Sequence, residues 1–200
     1  KDIISTYKKG TDFSIYMDTD GLIHAGSGLD QVTWMDVRVG DWVATPRHGK
    51  PVEINALWYN ALCTMDMLQA KFGDNDESYR QLASLVKTSF NKRFWNENTG
   101  CLYDVVDEDD DTIRPNQIYA VSLPFTMLDK EREKAIVDTV MDKLYVGCGL
   151  RSLDPDHKDY HPIYIGSLSK RDHAYHQGTA WGFLLGGFIS CLLYTSPSPR

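Results

Sequence analysis

Two kinds of helix alternate along this chain, and that alternation limits its possible folds more than any other feature. From Val52 to Phe72 the apolar residues go all the way round: Val52, Ile54, Leu57, Trp58, Leu62, Met65, Met67 and Leu68. A helix with no polar face is one buried on every side. Glu77 to Phe94 instead sets Tyr79, Leu82, Ala83, Val86, Phe90 and Phe94 at three- and four-residue spacing with polar residues between, the pattern of a one-faced helix. Arg114-Pro115-Asn116 opens another apolar helix, with Pro where a first turn tolerates it and Ile118, Tyr119, Ala120, Val121 and Leu123 following. Asp129 caps a second one-faced helix that runs through Tyr145 on Ile136, Val137, Val140, Met141 and Leu144. Gly178 to Ile189 is again apolar throughout.

Inner and outer helices therefore follow one another. The inner-to-outer links are short, near Gly73–Asp76 and Pro124–Asp129, whereas the outer-to-inner links are long, Trp95–Arg114 and Val146–Gln177. In two concentric rings of antiparallel helices the long links share one end with the loop before Val52, as binding loops on a rigid scaffold. The expectation is an all-α chain forming a partial α/α toroid: five helices, a sixth in Lys1–Lys9, and a small β-hairpin over Ser14–His24 turning at Asp18–Gly21. A closed double ring holds about twelve helices, so about half of it is present. Residues 1–189 read as a fragment of one catalytic domain, and 190–200, ending Ser-Pro-Ser-Pro-Arg, as a non-native tail.

A formal net charge of −7 argues against nucleic acid and against an anionic membrane surface, while a neutral polysaccharide fits. Cys63, Cys101, Cys148 and Cys191 are scattered and form no CxxC pair, so neither a metal nor a disulfide framework is expected. With no signal peptide and no apolar run of about 20 residues, a cytoplasmic, membrane-free protein is expected. Lys1 is not a start Met, so an upstream segment is expected to be missing.

Thr33-Trp34-Met35-Asp36 places a carboxylate beside a Trp in a loop that feeds an apolar helix rich in Trp, Tyr and Asn. Sugars need aromatic faces for their C–H surfaces and fixed polar groups for their hydroxyls. Cleaving a glycosidic bond needs a carboxylic acid at the leaving oxygen. Asp36 is the candidate general acid, with a flanking Trp expected to lower the local dielectric and raise its proton affinity; the plainer role is a loop brace. Trp34 is a candidate sugar platform, and Arg47, beyond the stiff Thr45-Pro46, either grips hydroxyls or makes a loop salt bridge. Glu53 lies in the first helical turn, where the dipole alone would favour it, yet it faces the loop end. Asn116 and Gln117 stand at the mouth of the next inner helix, as sugar contacts or as caps. Tyr175, His176, Gln177 and Trp181 make a polar-aromatic run immediately before the last inner helix, and a sugar-contact role is expected there. Asp107–Asp111 and Asp18–Gly21 read as a solvated acidic loop and a turn rather than Ca²⁺ sites.

At these motifs the chain closely resembles the C-terminal amylo-α-1,6-glucosidase domain of glycogen debranching enzymes. The matching segments are Asp20-Gly-Leu-Ile23, Thr33-Trp-Met-Asp36, Thr45-Pro-Arg47, Pro51 through Tyr59, Arg114-Pro-Asn-Gln117 and Tyr175-His-Gln-Gly-Thr179, in family order as far as about Ile189. The resemblance implies an (α/α)6 barrel and an inverting hydrolysis of α-1,6-linked glucose stubs on glycogen or another branched α-glucan, without cofactor or metal. It implies that Asp36 is the general acid. The family's general base is a Glu in a later segment that this sequence does not reach, leaving Glu53 as a weak substitute and the N- and C-terminal parts of the same chain as missing partners. A different (α/α)6 glycosidase and a noncatalytic glycan-binding module are the competing readings.

Overall fold

The structure is a computed structural model that describes residues 1–73 and 76–195. Helix α1 (Asp2–Lys9) leads into a hairpin of β1 (Tyr16–Met17) and β2 (Ile23–His24), with Met17 opposite Ile23. A second hairpin, β3 (Arg38–Val39) and β4 (Trp42–Val43), follows, and β5 (Lys50–Pro51) delivers the chain to α2 (Val52–Lys71). After α3 (Ser78–Arg93) come β6 (Trp95–Asn96), β7 (Cys101–Leu102) and β8 (Val105–Val106). A 3₁₀ turn at Pro115–Ile118 runs into the short α4 (Tyr119–Ser122). Then follow α5 (Lys130–Lys143), β9 (Leu150–Arg151), α6 (Leu168–Tyr175), β10 (Ala180–Trp181) and α7 (Leu185–Thr195).

The chain is thus helix-rich with small sheets, not all-α. Among the described residues there are five two-stranded antiparallel sheets where the sequence led us to expect one hairpin. Four of the five (the β6–β7, β5–β8, β9–β10 and β3–β4 pairs) involve the long links and the loop before Val52. Long loops carry many backbone N–H and C=O groups that need partners, and short ladders supply them. The expected N-terminal hairpin is present in the expected place.

The helices pack side by side. α2 packs on α3 and on α4, α4 on α7, and α7 on α5. The core between them contains Val52, Leu62, Val86, Phe90, Phe94, Ile118, Ile136, Val140, Leu144 and Phe188. Asp129 caps α5 as expected, its side chain accepting from the Arg132 N–H at 2.8 Å. Two expectations are corrected. α2 is not buried on every side, because Leu57 and Met67 lie on an exposed face. The last apolar helix begins at Leu185, not Gly178. Gly178 sits at φ +145°, and a Cβ there would lie 2.3 Å from the His161 carbonyl oxygen, so the chain at this point is pressed into a crossing that a helix cannot make. The expected boundary at Ile189 falls inside the continuous helix α7, and residues 196–200 of the expected tail, like 74 and 75 in the expected short link, lie outside the described residues. No described helix is long and apolar enough to cross a membrane.

Asn55 fastens the hairpin to α2. Wholly buried, it accepts from the Ile23 N–H at 2.7 Å and donates to the carbonyls of Ile23 at 3.1 Å and Pro51 at 2.9 Å. Asn55→Leu leaves those backbone groups unpaired in the interior. We expect a loss of about 2–3 kcal/mol, read as a lower urea midpoint; an unchanged midpoint contradicts the role.

Candidate active site

The loop before α2, the β7–β8 segment and the β9–α6–β10 segment meet at one end of the helices, and a buried ion cluster ties them. Arg47 binds both oxygens of Glu53, with Nη2–Oε2 at 2.7 Å, and both oxygens of Asp104, at 2.6 and 3.1 Å. Burial alone would weaken the guanidinium's charge; the Asp104 and Glu53 carboxylates more than offset this and raise its proton affinity further. Paired forks of this kind fix geometry as well as charge. Asp104 also accepts from Asn116 Nδ2 at 2.8 Å, and its carbonyl accepts the Val52 N–H that opens α2.

From Asp104 the network reaches the aromatic wall. Asn116 accepts from the Trp34 indole N–H at 2.7 Å. Arg114 donates to the carbonyls of Ser152 at 3.0 Å and His176 at 2.8 Å and to Gln177 Oε1 at 2.8 Å, and Gln177 in turn donates to the Ala44 carbonyl at 3.2 Å. Met35 lies beneath, its sulfur 3.7 Å from Arg114 and 3.8 Å from Asn116. The edge of Trp34 meets His176, Trp181 and Phe183 at centroid distances of 5.1, 5.8 and 4.9 Å, and Tyr175 meets His176 and Trp181 at 4.7 and 4.9 Å.

Asp36 is the carboxylate that stands apart from this network. Its side chain is 63% exposed, and its Oδ1 lies 3.6 Å from His176 Nε2. Trp34 faces the other aromatic rings, and the covering of Asp36 expected from the sequence is absent. His176 is 1% exposed, and neither ring nitrogen has a hydrogen-bond partner among the described residues. Its burial lowers its pKa from 6.5 to about 4; nearby Asp36 opposes that shift, while Arg114 and Arg47 add to it. The imidazole is neutral at neutral pH.

The expected site residues therefore separate into two groups. Trp34, Asp36, Tyr175, His176 and Trp181 come together in the wall. Arg47, Glu53, Asn116, Gln117 and Gln177 are engaged in holding it: Gln117 accepts from the Leu102 N–H at 3.3 Å and donates to the Arg114 carbonyl at 3.2 Å. The loop salt bridge is the role Arg47 takes, and Glu53, both oxygens bound to it, is not free to activate a water. Sequence reasoning missed Asp104 as the hub, since one Asp in a loop gives no signal, and Phe183, hidden in an apolar run. The two acidic motifs meet elsewhere: Lys50 Nζ lies 2.8, 3.0 and 3.6 Å from Asp18, Asp20 and Asp107, and Arg93 bonds Asp20 and Asp107. No group of residues that could hold a metal occurs among the described residues.

Two outcomes are expected. Arg47→Met strands two buried carboxylates and lowers stability by about 3–5 kcal/mol at pH 7; a chemical-denaturation change under 1 kcal/mol would refute this. His176, with a folded-state pKa below its unfolded value, adds stability that is present above pH 6.5 and is lost as pH falls towards 4. Melting temperatures of the wild type and His176→Gln across that range should show the wild type falling more steeply, by on the order of 3 kcal/mol in all; parallel curves would contradict it.

The comparisons with known proteins point one way. A family model described as amylo-alpha-1,6-glucosidase matches residues 1–199. A glycogen debranching enzyme from Saccharomyces cerevisiae is 28% identical over 243 aligned positions, which take in 96% of this chain and 16% of that protein. The chain thus spans about a sixth of the length of that relative. Given the extent of the family match, the chain belongs to the amylo-alpha-1,6-glucosidase family.

Proposed function

We propose that this chain is part of an α-1,6-glucosidase that removes glucose stubs from the branch points of glycogen or a related α-glucan, with inversion at the anomeric carbon. The observation that carries this reading is the contrast between carboxylates. Glu53 and Asp104 are both bound by Arg47, whereas Asp36 projects beside an aromatic wall where the loops meet. Aromatic faces suit the C–H surface of glucose, and an unclaimed carboxyl can carry a proton to a leaving oxygen.

In this reading Asp36 donates its proton to the glycosidic oxygen as the C1–O bond breaks, and positive charge spreads over C1 and the ring oxygen. A carboxylate on the opposite face takes a proton from a water molecule, whose oxygen forms the new bond to C1. Glucose and an unbranched chain end leave. The two carboxyls of an inverting pair lie about 6.5–9.5 Å apart to admit that water. Glu53's bond to Arg47 argues against that task, and we place the base on a segment outside these 200 residues. Trp34, Tyr175 and Trp181 supply the sugar-facing surface. Arg47, Asn116 and Gln177 keep that surface in place. We read α2, α4 and α7 as inner members and α3 and α5 as outer members of a partial (α/α)6 toroid, supported by their side-by-side packing.

The test uses the gene product extended beyond residue 200 and a limit dextrin bearing α-1,6 glucose stubs. Asp36→Asn should cut glucose release by about 10²–10⁴-fold with the melting temperature unchanged. Wild-type release from Asp36→Asn removes Asp36 from the chemistry. Dextrin binding without hydrolysis by the unaltered extended protein would instead indicate a glycan-binding module.

A further inference from the structure

We propose that His176 is the positioning residue for Asp36: its Nε2–H donates to Oδ1 and stabilises the carboxylate that forms as the other oxygen releases its proton. This rests on the assignment of Asp36 as general acid. Four observations lead to it. His176 Nε2 is the polar atom placed next to Asp36 Oδ1, at 3.6 Å, just past hydrogen-bond length. Both ring nitrogens are buried and unpartnered among the described residues, an arrangement that costs free energy unless a group in the site engages them. The ring is clamped, stacked on Trp181 at 5.6 Å with Trp34 and Tyr175 at its edges, and its own carbonyl is held by Arg114. Finally, at 1% exposure it offers no open face to a sugar.

The surroundings also fix the ring's charge. Asp36, Arg114 and Arg47 act on it electrostatically, and Tyr175 touches it. An imidazolium here would form a salt bridge with Asp36 and remove the proton the acid must carry. Burial, reinforced by Arg114 and Arg47, keeps the imidazole neutral, with its pKa near 4. A neutral N–H donor can bond the developing carboxylate and does not itself carry an extra proton or a positive charge, so the contact strengthens as negative charge builds on Asp36.

The test compares His176→Phe with His176→Gln, whose amide nitrogen can reach the place of Nε2. In the extended enzyme His176→Phe should lower kcat about 10-fold and leave KM within about twofold. It should also move the alkaline limb of the kcat–pH profile upward by about half a pH unit or more, as the acid becomes weaker. His176→Gln should return the limb towards its original position. A second readout needs no activity: in the 200-residue chain, the Asp36 carboxyl titration followed by ¹³C NMR should shift upward in His176→Phe. A raised KM with an unmoved limb would make His176 a sugar contact. A lower melting temperature with both titrations unmoved would make it a packing residue. Either overturns the inference. Asp36→Asn in parallel separates the two failures: if it stays active, the acid assignment falls, and if it is inactive while the His176→Phe titrations are unmoved, only this inference falls.

Discussion

The fork of Arg47 between Glu53 and Asp104 is the interaction on which the rest of this end of the molecule depends. Two carboxylates enter the interior, one from the first turn of α2 and one from the β7–β8 segment, and neither would remain charged there alone. The guanidinium answers both with paired bonds, which a lysine's point charge could not do. Because Asp104 also holds Asn116, and Asn116 holds Trp34, the orientation of an aromatic ring in the wall is set by an ion pair several residues away. The aromatic wall is thus built outward from a buried salt bridge.

That arrangement explains which parts of the molecule could be read from the sequence. Apolar spacing gave α2, α3 and α5, because burial is written in spacing. It gave the convergence of long loops, because helix connectivity leaves them only one end. It failed at Gly178–Leu184, where an apolar run is pressed into a strand and turn by a crossing with residue 161. It also failed on the short ladders, whose residues carry no sustained alternation and whose pairing is a tertiary outcome.

Site roles were legible by residue type and less so by task. Trp34, Tyr175, His176 and Trp181 were marked out by their chemistry and do cluster. Arg47, Asn116 and Gln177 were marked out by the same reasoning, yet they hold protein groups. A polar side chain at a cleft mouth has the same sequence signature whether it grips a sugar or a neighbouring loop. Asp104 had no signature at all, because its importance lies in being reached by Arg47, Arg114 and Asn116 at once.

The division of labour among the acidic groups follows from the same physics. A carboxylate bound through both oxygens by a buried guanidinium has its acceptor positions engaged within the protein. A carboxylate that reacts must therefore stand outside the network while keeping a fixed position relative to it. Asp36 stands outside the network: it is mostly exposed, and beside it on the wall lies a neutral imidazole held by three aromatic rings. Groups whose charges are spent on one another supply rigidity, and the proposed acid stands outside them. Preorganisation of this kind is what lets a single proton transfer be stabilised without reorganising the protein around it.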